Sequence, residues 1–129
     1  MIILQEEYYS VKQCKENPNN LYVFGDNSER WGKGGQAQIR DEKNTFGIAT
    51  KWKPTMDPDA FLSDGESSFN LVREDILKLL SLYQLGTYEN IIFPKDGFGT
   101  GLAMLSDVAP RIYEFMNEII KKNFGIEYK

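Results

Sequence analysis

Histidine is absent from the 129 residues, and cysteine occurs once, at Cys14. The first absence removes Ser-His-Asp and Cys-His nucleophilic systems. Together they leave no zinc set, which needs several thiolate or imidazole ligands, so no metal and no cofactor is expected. A lone thiol cannot close an intrachain disulfide, which fits a reducing, cytoplasmic setting. Positive charge is also scarce. With 15 Lys and Arg against 19 Asp and Glu the net charge is −4, which argues against a general nucleic-acid backbone binder. No apolar run approaches the roughly 18 residues of a membrane helix, so no membrane partner is expected. Met1-Ile2-Ile3-Leu4 gives way at once to Gln5-Glu6-Glu7. That predicts a first strand rather than the apolar core of a signal peptide. Any catalysis must run on Lys, Asp, Glu, Tyr, Ser or Thr.

What is present is ordinary for one globular domain over residues 1–129: 41% hydrophobic and 26% charged residues, in a chain long enough for a sizeable core. The periodicity predicts strands over 2–4, 21–24, 45–50 and 91–93, with 126–128 as an edge strand. Helices are expected from the Ser10 cap to about Glu16 and over 36–42. A long helix capped by Ser67 or Ser68 should bury Phe69, Val72, Ile76, Leu79, Leu80 and Tyr83 and end at Gly86. A last helix opening at Ser106-Asp107 should bury Val108, Ile112, Phe115, Met116, Ile119 and Ile120 and stop at Gly125. Residues 51–64, with two prolines and no period, read as a loop. Strands alternating with helices predict an α/β domain with a mainly parallel sheet and helices on both faces.

Two glycine-rich loops follow strand ends. Gly32-Lys33-Gly34-Gly35 comes after Leu21-Tyr22-Val23-Phe24 by way of Gly25-Asp26-Asn27. Gly97-Phe98-Gly99-Thr100-Gly101 comes after Ile91-Ile92-Phe93-Pro94. Glycine there lets backbone N–H groups approach an anion, and a following helix N-terminus adds partial positive charge. Two such cradles suggest a ligand with more than one phosphate or ribose. The second loop is neither a dinucleotide fingerprint nor a Walker loop, because its third glycine comes two residues after the second and no Gly-Lys-Ser/Thr follows. Tight strand-to-helix turns alone would also account for these glycines. The ligand-binding candidates are Gly32, Gly34, Gly35, Gly97, Gly99, Thr100, Gly101 and Leu102, with Asp26 and Asn27, whose amide and carboxylate suit ribose hydroxyls or plain turn chemistry. Lys51, ending the third strand, reads as a phosphate counter-ion or, if desolvated beside Lys53, as a neutral amine nucleophile. Trp31 and Trp52 flank these segments as stacking candidates or as core and rim aromatics.

Taken together, Val23-Phe24-Gly25-Asp26-Asn27, Gly32-Lys33-Gly34-Gly35-Gln36-Ala37, Ala49-Thr50-Lys51-Trp52 and Pro94 through Leu102 resemble the macrodomain superfamily, nearest its lysine-dependent ADP-ribosyl glycohydrolase branch. The order and coarse spacing match from about residue 21 to residue 120. Small phage and bacterial proteins with the Phe-Gly-Asp-Asn and Gly-Gly-Gln-Ala pair look similar. The resemblance implies a three-layer α/β/α fold with a mixed, mainly parallel sheet. It also implies binding of ADP-ribose or a related NAD-derived nucleotide, and an ADP-ribosylated protein or nucleic acid as partner. Carried over, Asn27 would meet the distal ribose, and Gly34 and Gly35 would pass close to that ribose and the diphosphate. Gly99, Thr100 and Gly101 would hold the diphosphate, and Lys51 would match the catalytic lysine that attacks the anomeric carbon. The family's catalytic acid follows the Gly-x-Gly-Leu step, where this chain has Ala103. Asp96, in a lengthened loop, offers a carboxylate from a different place, with Asp26 as the second choice. Lys51 favours an ADP-ribosyl hydrolase, Ala103 favours a binding module without turnover, and an α/β interaction domain without a ligand is the third reading.

Overall fold

The run Leu21–Phe24 has no polar face, as a strand buried on both sides requires, and it forms the middle of β2 (Asn20–Asn27). In the computed structural model, which describes residues 2–128, β2 joins β1 (Ile2–Glu6), β3 (Thr45–Lys51) and β4 (Asn90–Pro94) in a four-stranded sheet of order β1-β4-β2-β3. All three pairings are parallel. Antiparallel pairing among the described residues is confined to an isolated bridge between Lys51 and Phe61. The expected membership of Met1 in the first strand lies outside the described residues.

Alternation along the strands divides the core in two. Leu21, Val23, Ile48, Ile91 and Phe93 pack with α2 (Glu66–Leu85) and α4 (Pro110–Phe124), whose Val72, Ile76, Leu79, Ile112, Met116 and Ile120 are fully buried. Tyr22, Phe24 and Ile92 face the other way, onto Tyr9, Cys14, Ala37 and Ile39. That second layer is α1 (Val11–Glu16) and a short 3-10 turn, Gly35–Ile39. Helical structure therefore covers both faces, as expected of this α/β class. No helix of the described residues is long and apolar enough to cross a membrane.

Several boundaries differ from the sequence expectation. Ser10 caps α1, as read, and the cap is a reciprocal capping box with Gln13. The segment 36–42 makes only the 3-10 turn. The N-cap of α2 is Gly65, and Ser68 lies buried inside the helix, where its Oγ accepts from Ser63 N at 3.3 Å. The last helix is broken into α3 (Leu105–Val108) and α4. Pro110 causes the break: it has no N–H and keeps Ala109 out of the helical region, and Ala109 has φ −147° and ψ 68°. Asp64 Oδ1 then accepts from Arg111 N and Ile112 N at 3.0 and 3.1 Å, capping α4 from a distant loop. Residues 126–128 form no strand. Ile126 is buried, and Tyr128 stacks edge-on against Phe98.

One feature of the sheet positions the site. β2 pairs with β4 only from Asn20 to Tyr22. Beyond that, β4 continues with β1 and β2 continues with β3, so their carboxyl ends part. Tyr9 fills the fork, its hydroxyl within 2.7 Å of Val23 O and 3.1 Å of Ile92 O. The chain leaves β2 toward the α1 face and leaves β4 toward the α2–α4 face. This is a topological switch point, where open α/β sheets bind ligands.

Gly47 on β3 is required by its neighbour. A Cβ there would lie 2.3 Å from Asp26 Oδ2. Gly47→Ala is therefore expected to cost about 3 kcal/mol through overpacking, and an equilibrium urea melt of the variant checks this.

Candidate functional site

A cleft of about 490 Å³ opens over the fork, within the usual range for small-molecule sites. Among the residues predicted for the site, Asp26, Asn27, Trp31, Gly32, Gly34, Gly35, Lys51, Asp96, Gly99, Thr100, Gly101 and Leu102 all line it. Two predicted positions do not. Gly97 is buried beneath the Tyr128 ring, 3.3 Å from where its Cβ would be, so it shapes the second loop from behind. Trp52 is half-buried against the main core, because it follows Lys51 and its side chain leaves on the opposite side. Trp31 is thus the aromatic ring on the cleft, and its indole N–H donates to Glu29 at 3.0 Å.

The floor holds the Asp26–Arg40 pair, the cleft end of an ion-pair chain that continues behind it through Arg30 to Asp75. Arg40 donates to both carboxylate oxygens of Asp26, at 2.5 and 3.0 Å. Arg30 reaches Asp26 at 3.3 Å and Asp75 of α2 at 2.7 and 2.8 Å. Asp75 also accepts from Ala49 N at 2.7 Å, and Asp26 from Asn27 N at 2.7 Å. Arg30 adopts a left-handed backbone, φ 59°, unusual for a side-chain-bearing residue. Arg40 further donates to Gly32 O at 2.9 Å and Trp31 O at 3.3 Å, tying the first glycine loop to the floor. The Asp26 oxygens, for which ribose and proton-transfer roles are expected, are shared here among two guanidiniums and an amide. The Asn27 amide shapes the same loop, donating to Trp31 O at 2.8 Å and accepting from Glu29 N at 3.1 Å.

The second loop is built for close approach. Gly99 has φ +71°, and a Cβ on it would fall 2.8 Å from Leu105 Cβ and 3.3 Å from Thr50 Cβ. Gly101 faces open space. Among the described residues the backbone N–H groups of Gly99, Thr100, Gly101 and Leu102 have no protein acceptor. The expected helix-dipole contribution is small: the first loop leads into a five-residue 3-10 turn and the second into the four-residue α3, and few aligned peptides make little macrodipole. The anion-binding capacity rests on the loop amides themselves.

Lys51 is buried at the cleft wall. Its Nζ donates to Thr55 O, lies 3.7 Å from Met56 Sδ and sits 4.7 Å from the Phe61 ring centroid. Desolvation holds its pKa below the ordinary lysine value, and among the described residues no carboxylate pairs with it. The expected influence of Lys53 is absent, because Lys53 is bound to Asp59 at 2.6 Å. Asp96 is exposed at the rim, and Ala103, buried in the cleft wall, brings no carboxylate.

Arg40 and Gln36 also line the cleft, although the sequence pattern assigns neither a role. Gln36 Oε1 accepts from Gly25 N at 2.8 Å and its Nε2 donates to Gly97 O at 3.2 Å. Its place directly after the Gly34-Gly35 pair was the available signal. No group of three or more metal-ligating side chains occurs among the described residues.

A family described as a family of unknown function (DUF7831) matches residues 4–119 of the chain. A search of curated proteins finds no match, and neither does a search of solved structures.

Proposed function

We propose that this chain, which belongs to the family of unknown function DUF7831, binds ADP-ribose or a related NAD-derived nucleotide in the crevice between the carboxyl ends of β2 and β4. The observation that carries the reading is the meeting of two glycine loops over one cleft at the switch point, with the amides of Gly99 to Leu102 unpartnered among the described residues. A diphosphate supplies acceptors for such amides, and the first loop and Asn27 lie where the distal ribose would follow. A cytoplasmic setting suits this reading, since the lone Cys14 is a free thiol.

A thermal-shift panel of ADP-ribose, ADP, NAD and AMP tests it. ADP-ribose at 100 times its dissociation constant should stabilise the fold by roughly 2.7 kcal/mol, with AMP giving less. Equal, negligible shifts for every nucleotide would remove this reading and favour an interaction domain.

Lys51 supports a second reading, hydrolysis of an ADP-ribosyl bond on a protein or nucleic acid. A desolvated lysine with no carboxylate partner holds more neutral amine at neutral pH than a solvated one. In that reaction Nζ bonds to the anomeric carbon as the linkage to the macromolecule breaks and the macromolecule leaves with a proton from Asp96. Water then adds to the same carbon, gives its proton to Asp96, and breaks the C–Nζ bond to free ADP-ribose and the lysine amine. Lys51→Ala is then expected to lose product release from ADP-ribosylated substrate while keeping ADP-ribose affinity within about threefold, because the diphosphate cradle stays intact. Borohydride trapping of a lysine–ribose adduct in the wild type provides the independent check. Weakened binding in the variant, with no adduct and no turnover in the wild type, makes Lys51 a counter-ion.

A further inference from the structure

Gln36 spans the fork in a way neither glycine loop does. β2 loses its β4 partner after Tyr22, so the N–H of Gly25 on that edge has no strand to donate to, and Gln36 Oε1 takes it at 2.8 Å. The other end of the same amide donates to Gly97 O at 3.2 Å, at the base of the second loop. One side chain, carried by the 3-10 turn that follows the first loop, thus hydrogen-bonds β2 and the second loop together. We propose that Gln36 is a positioning residue that sets the distance between the two glycine loops, and thereby selects ligands long enough to touch both. This rests on the ADP-ribose reading of the cleft.

The amide is suited to this role because one end accepts and the other donates. A carboxylate keeps the acceptor for Gly25 N and turns an oxygen toward the Gly97 carbonyl, where it is repelled. A protonated carboxyl restores a donor at that end. Gln36→Glu should therefore bind ADP-ribose roughly tenfold or more weakly than the wild type at pH 8, and the deficit should close as the pH falls and the introduced group takes up a proton. Gln36→Met fills similar space with neither function and should show the deficit at every pH. Other charged groups on the same cleft are Asp26 and Arg40, bound to each other, Lys33, bound to Asp41, Lys51, and the exposed Asp96. The wild type titrated in parallel carries all of these, so only the variant-to-wild-type ratio is read.

Calorimetry with ADP-ribose over pH 5 to 8, with a thermal melt of each apo variant, separates the outcomes. No binding by the wild type removes the ADP-ribose reading itself. Wild-type binding with unchanged affinity in Gln36→Met, or a Gln36→Glu deficit independent of pH, overturns the positioning role. That holds whatever happens to the melting temperatures. A Gln36→Glu deficit that closes at low pH, beside a constant deficit in Gln36→Met, supports the role.

Discussion

Asp26→Ala is expected to lower the stability of the domain by roughly 3 to 5 kcal/mol, the range for removing one partner of a buried ion pair. Asp26 is the shared acceptor for Arg40 and Arg30. Its loss leaves the Arg40 guanidinium, 14% exposed, without a counter-charge. Arg30 contributes less to the penalty, because its side chain is 39% exposed and keeps Asp75, so solvent screens it. The first glycine loop should loosen as well, since Arg40 holds Gly32 and Trp31 only while oriented by Asp26. Chemical denaturation should show the stability loss, and hydrogen exchange should show faster exchange over 31–36. A variant that melts like the wild type would mean that the ion-pair chain is not what holds the floor.

The second large effect separates fold from site within three residues. Gly101→Val should lose at least about 100-fold in ADP-ribose affinity while melting within about 0.5 kcal/mol of the wild type, because a Cβ at Gly101 meets nothing in the protein. On the proposed ADP-ribose reading it would project instead into the cleft space that the diphosphate would occupy. Gly99→Val should lose binding and also roughly 2 to 5 kcal/mol of stability. It combines a left-handed backbone with a contact of 2.8 Å to Leu105 Cβ, and both terms are of kilocalorie size. Calorimetry and urea melts on the pair read both quantities. Retained affinity in a folded Gly101→Val variant takes the second loop out of the site.

The sequence made legible what is local. The buried strand Leu21–Phe24, the Ser10 N-cap and the stripes of α2 and α4 follow from short-range pattern, and so do the two glycine loops at strand ends. Because both loops follow strands of one parallel sheet, Lys51, Asn27 and Gly99 to Leu102 could be placed on one edge before any coordinates. The ion-pair chain could not, since Asp26 meets Arg30 and Arg40 four and 14 positions away, and Arg30 meets Asp75 45 positions away. The Gln36 link to Gly97 spans 61 positions. No composition rule distinguishes such a carboxylate or amide from one that meets a ligand, so the ion pairs of Asp26 are not legible in the sequence. Trp52 and Gly97 lie off the cleft for a simpler reason: each follows a cleft residue, Lys51 or Asp96, but Trp52 packs on the main core and Gly97 backs onto the Tyr128 ring.

We propose that the two glycine loops together hold one ligand in the fork between β2 and β4. Amide chemical-shift mapping of the ¹⁵N-labelled protein during titration with ADP-ribose tests it most directly. Saturable shifts at Gly32 to Gln36 and at Gly99 to Leu102, following one dissociation constant, are the predicted result. Saturable shifts that leave both loops unmoved, or no shifts at millimolar ADP-ribose, would contradict it.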